Sequence, residues 1–116
     1  MRAVTDILDE LARATAVSDE ERAELDKLMN SVLRRWPAQV PPERELAVAA
    51  HCLTVVRRVR SGERLAALDP SVTNQLDADS LARARATLRE YAGEDAAADE
   101  PEAVLLALHY ALARSP

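Results

Sequence analysis

Phenylalanine is absent from this 116-residue chain, aromatic residues of every kind make up only 3% of it, and it has two glycines and one cysteine. Each shortage excludes something. A core without Phe has to be assembled from Leu, Val and Ala, which suits helices packed on helices. Two glycines leave no glycine-rich loop to cradle a phosphate. A single cysteine rules out an internal disulfide and fits a reducing compartment. No apolar run approaches the roughly 20 residues that span a bilayer. The opening segment MRAVTDILDELARA carries acids inside its apolar pattern, unlike a secretory signal. Fifteen Lys and Arg stand against twenty Asp and Glu, a net charge of −5, so the cationic surplus of a nucleic-acid binder is missing. These absences predict a cytoplasmic protein that binds neither membrane nor nucleic acid directly.

What is abundant is Ala, Leu, Glu and Arg, residues that lose little freedom in a helix. The length argues for a single domain over 1–116 and is enough for one core. The expected fold is all-α, a compact bundle of about five helices. A first helix is predicted from about Ala3 to Ala16, with Val4, Ile7, Leu8 and Leu11 as its apolar stripe. Ser18 and Glu21 form a capping box that opens a second helix, which Pro37 ends. Pro41-Pro42 opens a third helix that ends near Ser61-Gly62. A short helical turn is expected around Arg64 to Leu68, with Asp69-Pro70 as its stop. A fourth long helix is predicted from near Asp77 or Asp79 to about Ala92, closed by Gly93, and GEDAAADE reads as a polar loop. Asp99 is placed as the cap of a last helix, with Pro101 in its first turn and Glu102 at the capping-box position.

The third helix contains the stretch AAHCLTVVRRVRSGERLAALDP, and within it one of the chain's two histidines. On an ideal helix, residues seven apart are nearly eclipsed and lie about 10.5 Å apart along the axis. His51 and Arg58 therefore share a face, with Val48 and Val55 flanking the histidine one turn to either side. A long Arg side chain leans back toward the helix N-terminus. At this spacing Arg58 would reach a group attached to the His51 ring better than the bare imidazole, which suits a phosphoryl group. The other histidine, His109, lies in the last helix.

H-C-L-T-V-V-R-R-V-R-S-G resembles the first histidine motif of the PTS regulation domain, or PRD: a histidine, an apolar helical run, an arginine seven residues on and a glycine four beyond it. His51, Arg58 and Gly62 match in register. E-A-V-L-L-A-L-H resembles the second motif, a glutamate seven residues before a histidine, through Glu102 and His109. The 58 residues between the two histidines match the spacing within one such domain, and Asp69-Pro70 falls where the family often has Asn-Pro. The resemblance covers essentially the whole chain. It departs where the family usually carries Asp before the first histidine, since Ala50 stands there.

The resemblance implies a five-helix bundle that forms a symmetric homodimer and is not itself an enzyme. It implies His51 and His109 as phosphoacceptors, and phosphocarrier proteins of the phosphoenolpyruvate-dependent sugar transport system as donors. Arg58, with Arg57 beside it, would pair with phosphate. No metal or organic cofactor is implied, and output would pass through a further protein partner. No fused effector domain is read in the chain, so a stand-alone module is expected. The alternative is a helical protein-protein interaction module that keeps the fold without the phosphate chemistry. Simpler roles compete residue by residue. Arg57 and Arg60 suit the negative end of the helix dipole. Adjacent helical residues point about 100° apart, so His51 and Cys52 do not form a dyad. Two histidines with scattered acids lack the ligand set of a metal site.

Overall fold

The strongest local signals lie at the helix ends. The computed structural model describes residues 3–37 and 39–114, with only the backbone of residue 114, and among these it has seven helices and no strand. Helix α1 spans Val4–Ala14. Helix α2, Asp19–Arg34, opens on the expected capping box: Ser18 Oγ accepts from the Glu21 amide at 3.1 Å and Glu21 Oε1 accepts from the Ser18 amide at 3.0 Å. Helix α3, Pro42–Ser61, has proline in its first turn, where the missing amide proton is no loss. It closes on Gly62 at φ +78°, a left-handed position that favours glycine.

Two expectations are overturned in the segments that follow. No helical turn forms over 64–68; instead α4 runs over Pro70–Asn74. Asp69-Pro70 is a start and not a stop, because the Asp69 carboxylate accepts from the Ser71 amide at 2.9 Å and Pro70 fills the first position. After α5, Ala78–Ala92, the stretch read as a polar loop contains a five-residue helix, α6, over Glu94–Ala98. Gly93 at φ +90° turns the chain, Glu94 and Asp95 sit at the positive end of the new helix, and the alanines favour its continuation. Helix α7, Glu100–Arg114, completes the bundle. The expectation of about five helices describes the five long ones, and the two short ones lie in the connections.

The radius of gyration is 13.5 Å, close to the roughly 13 Å of a compact domain of this length. Helix α5 packs along α6 and α7, α2 bridges α3 and α5, and α1 covers α3. The core has no Phe, as expected, and is built mainly of aliphatic residues, among them Ile7, Leu25, Leu28, Val32, Val55, Val56, Leu88 and Leu106. One aromatic pair closes it. Trp36 lies with its ring centre 5.5 Å from that of the fully buried Tyr110. The Tyr110 hydroxyl donates to the Val32 carbonyl at 3.2 Å and lies 2.7 Å from Thr87 Oγ1, so α2, α5 and α7 are tied at one buried point. Among the described residues no helix is long and apolar enough to cross a membrane.

Candidate functional site

Helix α3 has twenty residues, long enough for three eclipsed positions seven apart. Arg44, His51 and Arg58 occupy them, with Val48 and Val55 buried on either side of the histidine. Helix α7 offers Glu102 and His109, also seven apart. The two helices run antiparallel along this seam: Arg58 meets Glu102, His51 meets His109, and Arg44 reaches His109. The structure therefore brings together two histidines separated by 58 positions, with ring centres 4.8 Å apart and planes tilted by 44°.

Both rings are partly buried, and both are held neutral at pH 7. Burial lowers the His51 pKa from its ordinary 6.5 to about 4, helped by the neighbouring His109 ring and by the Arg58 cation. Burial also lowers that of His109, with Arg44 as the second cause. A neutral imidazole keeps a lone pair on one nitrogen, which is the nucleophilic form. His51 Nε2 is buried and has no hydrogen-bond partner among the described residues. Such a group costs stability and calls for an explanation in the chemistry of its site.

Arg58, expected to pair with phosphate, is already engaged. Its Nε donates to Glu102 Oε2 at 2.8 Å and its Nη2 to Glu102 Oε1 at 2.6 Å, a two-pronged pair with side chains 17% and 6% exposed. Glu102 is thus a cross-helix partner of Arg58, although its position in the first turn had suggested a capping box. Arg57 points elsewhere: its Nε donates to Glu21 Oε2 at 2.8 Å and its Nη2 to the Ala16 carbonyl at 2.6 Å, tying α3 to the turn between α1 and α2. Cys52, next to His51 in sequence, faces the core, and burial pushes its thiol up to about 12, far from a reactive thiolate. Among the described residues no cluster of three or more His, Cys, Asp or Glu is arranged to hold a metal.

Arg44 was missed in reading the sequence. Its Nη2 lies 3.4 Å from His109 Nδ1. The signal was present, since an arginine stands seven residues before His51 as well as seven after it. The upstream arginine lay outside the stretch that carried the family resemblance. Comparison with protein-family models, with curated proteins and with solved structures finds no match.

Proposed function

We propose that this protein is a PRD-like regulatory module that accepts a phosphoryl group on His51 or His109. The observation that carries this reading is the facing pair of neutral imidazoles on α3 and α7, with an arginine at each end of the seam. In the proposed reaction, a ring nitrogen attacks the phosphoryl group of a phosphorylated carrier of the sugar phosphotransferase system. No metal or organic cofactor takes part on this side. The product replaces a neutral ring by a group with close to two negative charges. Arginine fits such a group through charge-assisted hydrogen bonds. A charge change of this size at the seam between two helices biases one packing over another, and the proposed readout is a homodimer or a further protein partner. The carriers act in the cytoplasm, where the module would also reside.

The test is phosphoryl transfer from phosphoenolpyruvate through the general phosphocarrier enzymes, followed by intact mass under neutral conditions. An acid-labile adduct is expected, lost in His51→Ala or His109→Ala. No adduct from any carrier, or one that both variants retain in full, counts against the reading.

The Arg58–Glu102 pair favours a second reading, because it occupies the arginine assigned to phosphate and fastens α3 to α7 with no modification at all. In that reading the chain is a helical interaction module, not an enzyme, and changing both histidines to Gln leaves partner binding intact.

A further inference from the structure

A guanidinium has only N–H donors and no acceptor. For Arg44 Nη2 to donate to His109 Nδ1, Nδ1 has to hold the lone pair and the ring proton has to sit on Nε2. An imidazole attacks through its lone-pair nitrogen, so Nδ1 is the reactive atom of His109 and Arg44 stands over it. At 3.4 Å the contact is long for a hydrogen bond and easily surrendered. Among the described residues the Arg44 guanidinium meets no carboxylate, whereas Arg58 is held by Glu102 and Arg57 by Glu21. Of these three arginines, Arg44 is the one an incoming anion can recruit without first breaking an ion pair.

We propose that Arg44 is the phosphate-pairing residue for His109, a guanidinium that covers Nδ1 of the free ring and moves onto the phosphoryl oxygens once the Nδ1–P bond forms. The inference rests on the histidine-phosphorylation reading. In the step, the N–P bond of the phosphorylated carrier's imidazole breaks as the Nδ1–P bond of His109 forms. The Nε2 proton of His109 is released while the carrier's imidazole takes one up, so both rings end neutral and no proton or electron pair is unaccounted for. Arg44 then exchanges a weak contact with a neutral nitrogen for charge-assisted bonds to an oxyanion. The guanidinium thus guards the nucleophile before transfer and holds the product after it.

The test uses phosphoramidate, which phosphorylates histidine without a protein carrier, on the full chain. In the unmodified protein, nitrogen chemical shifts are expected to show the Nε2–H tautomer of His109, a bias lost in Arg44→Gln. After phosphoramidate treatment, the Nδ1 adduct at His109 is expected to be about tenfold less abundant in Arg44→Gln than in the unaltered chain. Arg44→Lys, which keeps the charge but not the fork, should fall between the two. Arg57→Gln, which removes a cation of the same helix but not of this site, should leave the adduct unchanged. Urea melts of each variant separate loss of the contact from loss of the fold. Equal adduct in Arg44→Gln and the unaltered chain overturns the proposal, as does an Nδ1–H tautomer, an adduct on Nε2, or no adduct at His109. An Nδ1 adduct that depends on Arg44 and forms from phosphoramidate but from no phosphocarrier supports the role of Arg44, and removes instead the sugar-system reading on which the donor was chosen.

Discussion

His51 pays for its position at low pH. Its pKa is about 4 in the fold against an ordinary 6.5, so the unfolded chain binds the proton more tightly than the folded one. Stability is therefore unaffected well above pH 6.5, falls as the pH drops from 6.5, and stops falling on this account below about pH 4. The full loss is on the order of 3 kcal/mol. Urea midpoints measured between pH 7 and 4.5 are expected to decline, and His51→Gln should flatten the decline, leaving what His109 contributes in the same direction. Glu21 and Glu90 do not confuse the assignment. Their pKa values are held down near 2 by Arg57 and by Ser31 with Arg35, so their stabilisation is lost only below about pH 4.5. Arg58 and Glu102 argue in a different currency. Removing one member leaves the other enclosed without a partner, while removing both leaves an apolar seam. Glu102→Ala should cost about 3 kcal/mol, the low end for a broken buried pair because Arg58 keeps some solvent contact, and the double change Arg58→Leu with Glu102→Leu should cost less than Glu102→Ala alone. Denaturant unfolding of the three variants checks the order, and a double variant weaker than the single one would reject it.

At the scale of elements, what was legible and what was not divides by range. The five long helices follow from signals within a turn or two of their ends: the Ser18–Glu21 box, Pro42 in the first turn of α3, Gly62 and Gly93 as closures. Those signals have energetic weight. Ser18→Ala should lower stability by about 1 kcal/mol, read as a shift in urea midpoint with no change in slope. The first short helix was misplaced because Asp-Pro ends one segment and begins another with equal ease, and only the carboxylate-to-Ser71 bond decides that it begins α4. The candidate site was legible as far as one helix reaches. The seven-residue register of His51 and Arg58 is a property of α3 alone and could be read directly. The contact of the two imidazoles, the Arg58–Glu102 pair and the approach of Arg44 to His109 all cross from α3 to α7. Nothing in a linear pattern states which way two helices face, so the cap assigned to Glu102 was the local answer to a question settled between helices.

For the whole molecule the facing histidines set a limit on how much modification it can take. If each ring carried a phosphoryl group, two groups of nearly two negative charges would sit on rings whose centres are 4.8 Å apart, and at a separation of about 8 Å their repulsion would be about 2 kcal/mol even at the dielectric constant of water and about four times that at the lower value typical of a protein surface. The chain already carries a net charge of −5, which adds to the difficulty. Arg58 is in no position to relieve it while bound to Glu102, and Arg44 can serve one group at a time. The smaller of the two energies is already worth a factor of about thirty in the second equilibrium. Phosphorylation of His51 and His109 should therefore be mutually exclusive within a chain. Intact mass after exhaustive treatment with phosphoramidate is expected to show one phosphoryl group per chain and not two, and Glu102→Gln, which frees Arg58, should be the variant in which a second group first appears. A doubly modified chain formed as readily as a singly modified one would mean that the rings part on modification, and that α3 and α7 do not stay together as they are in the free protein.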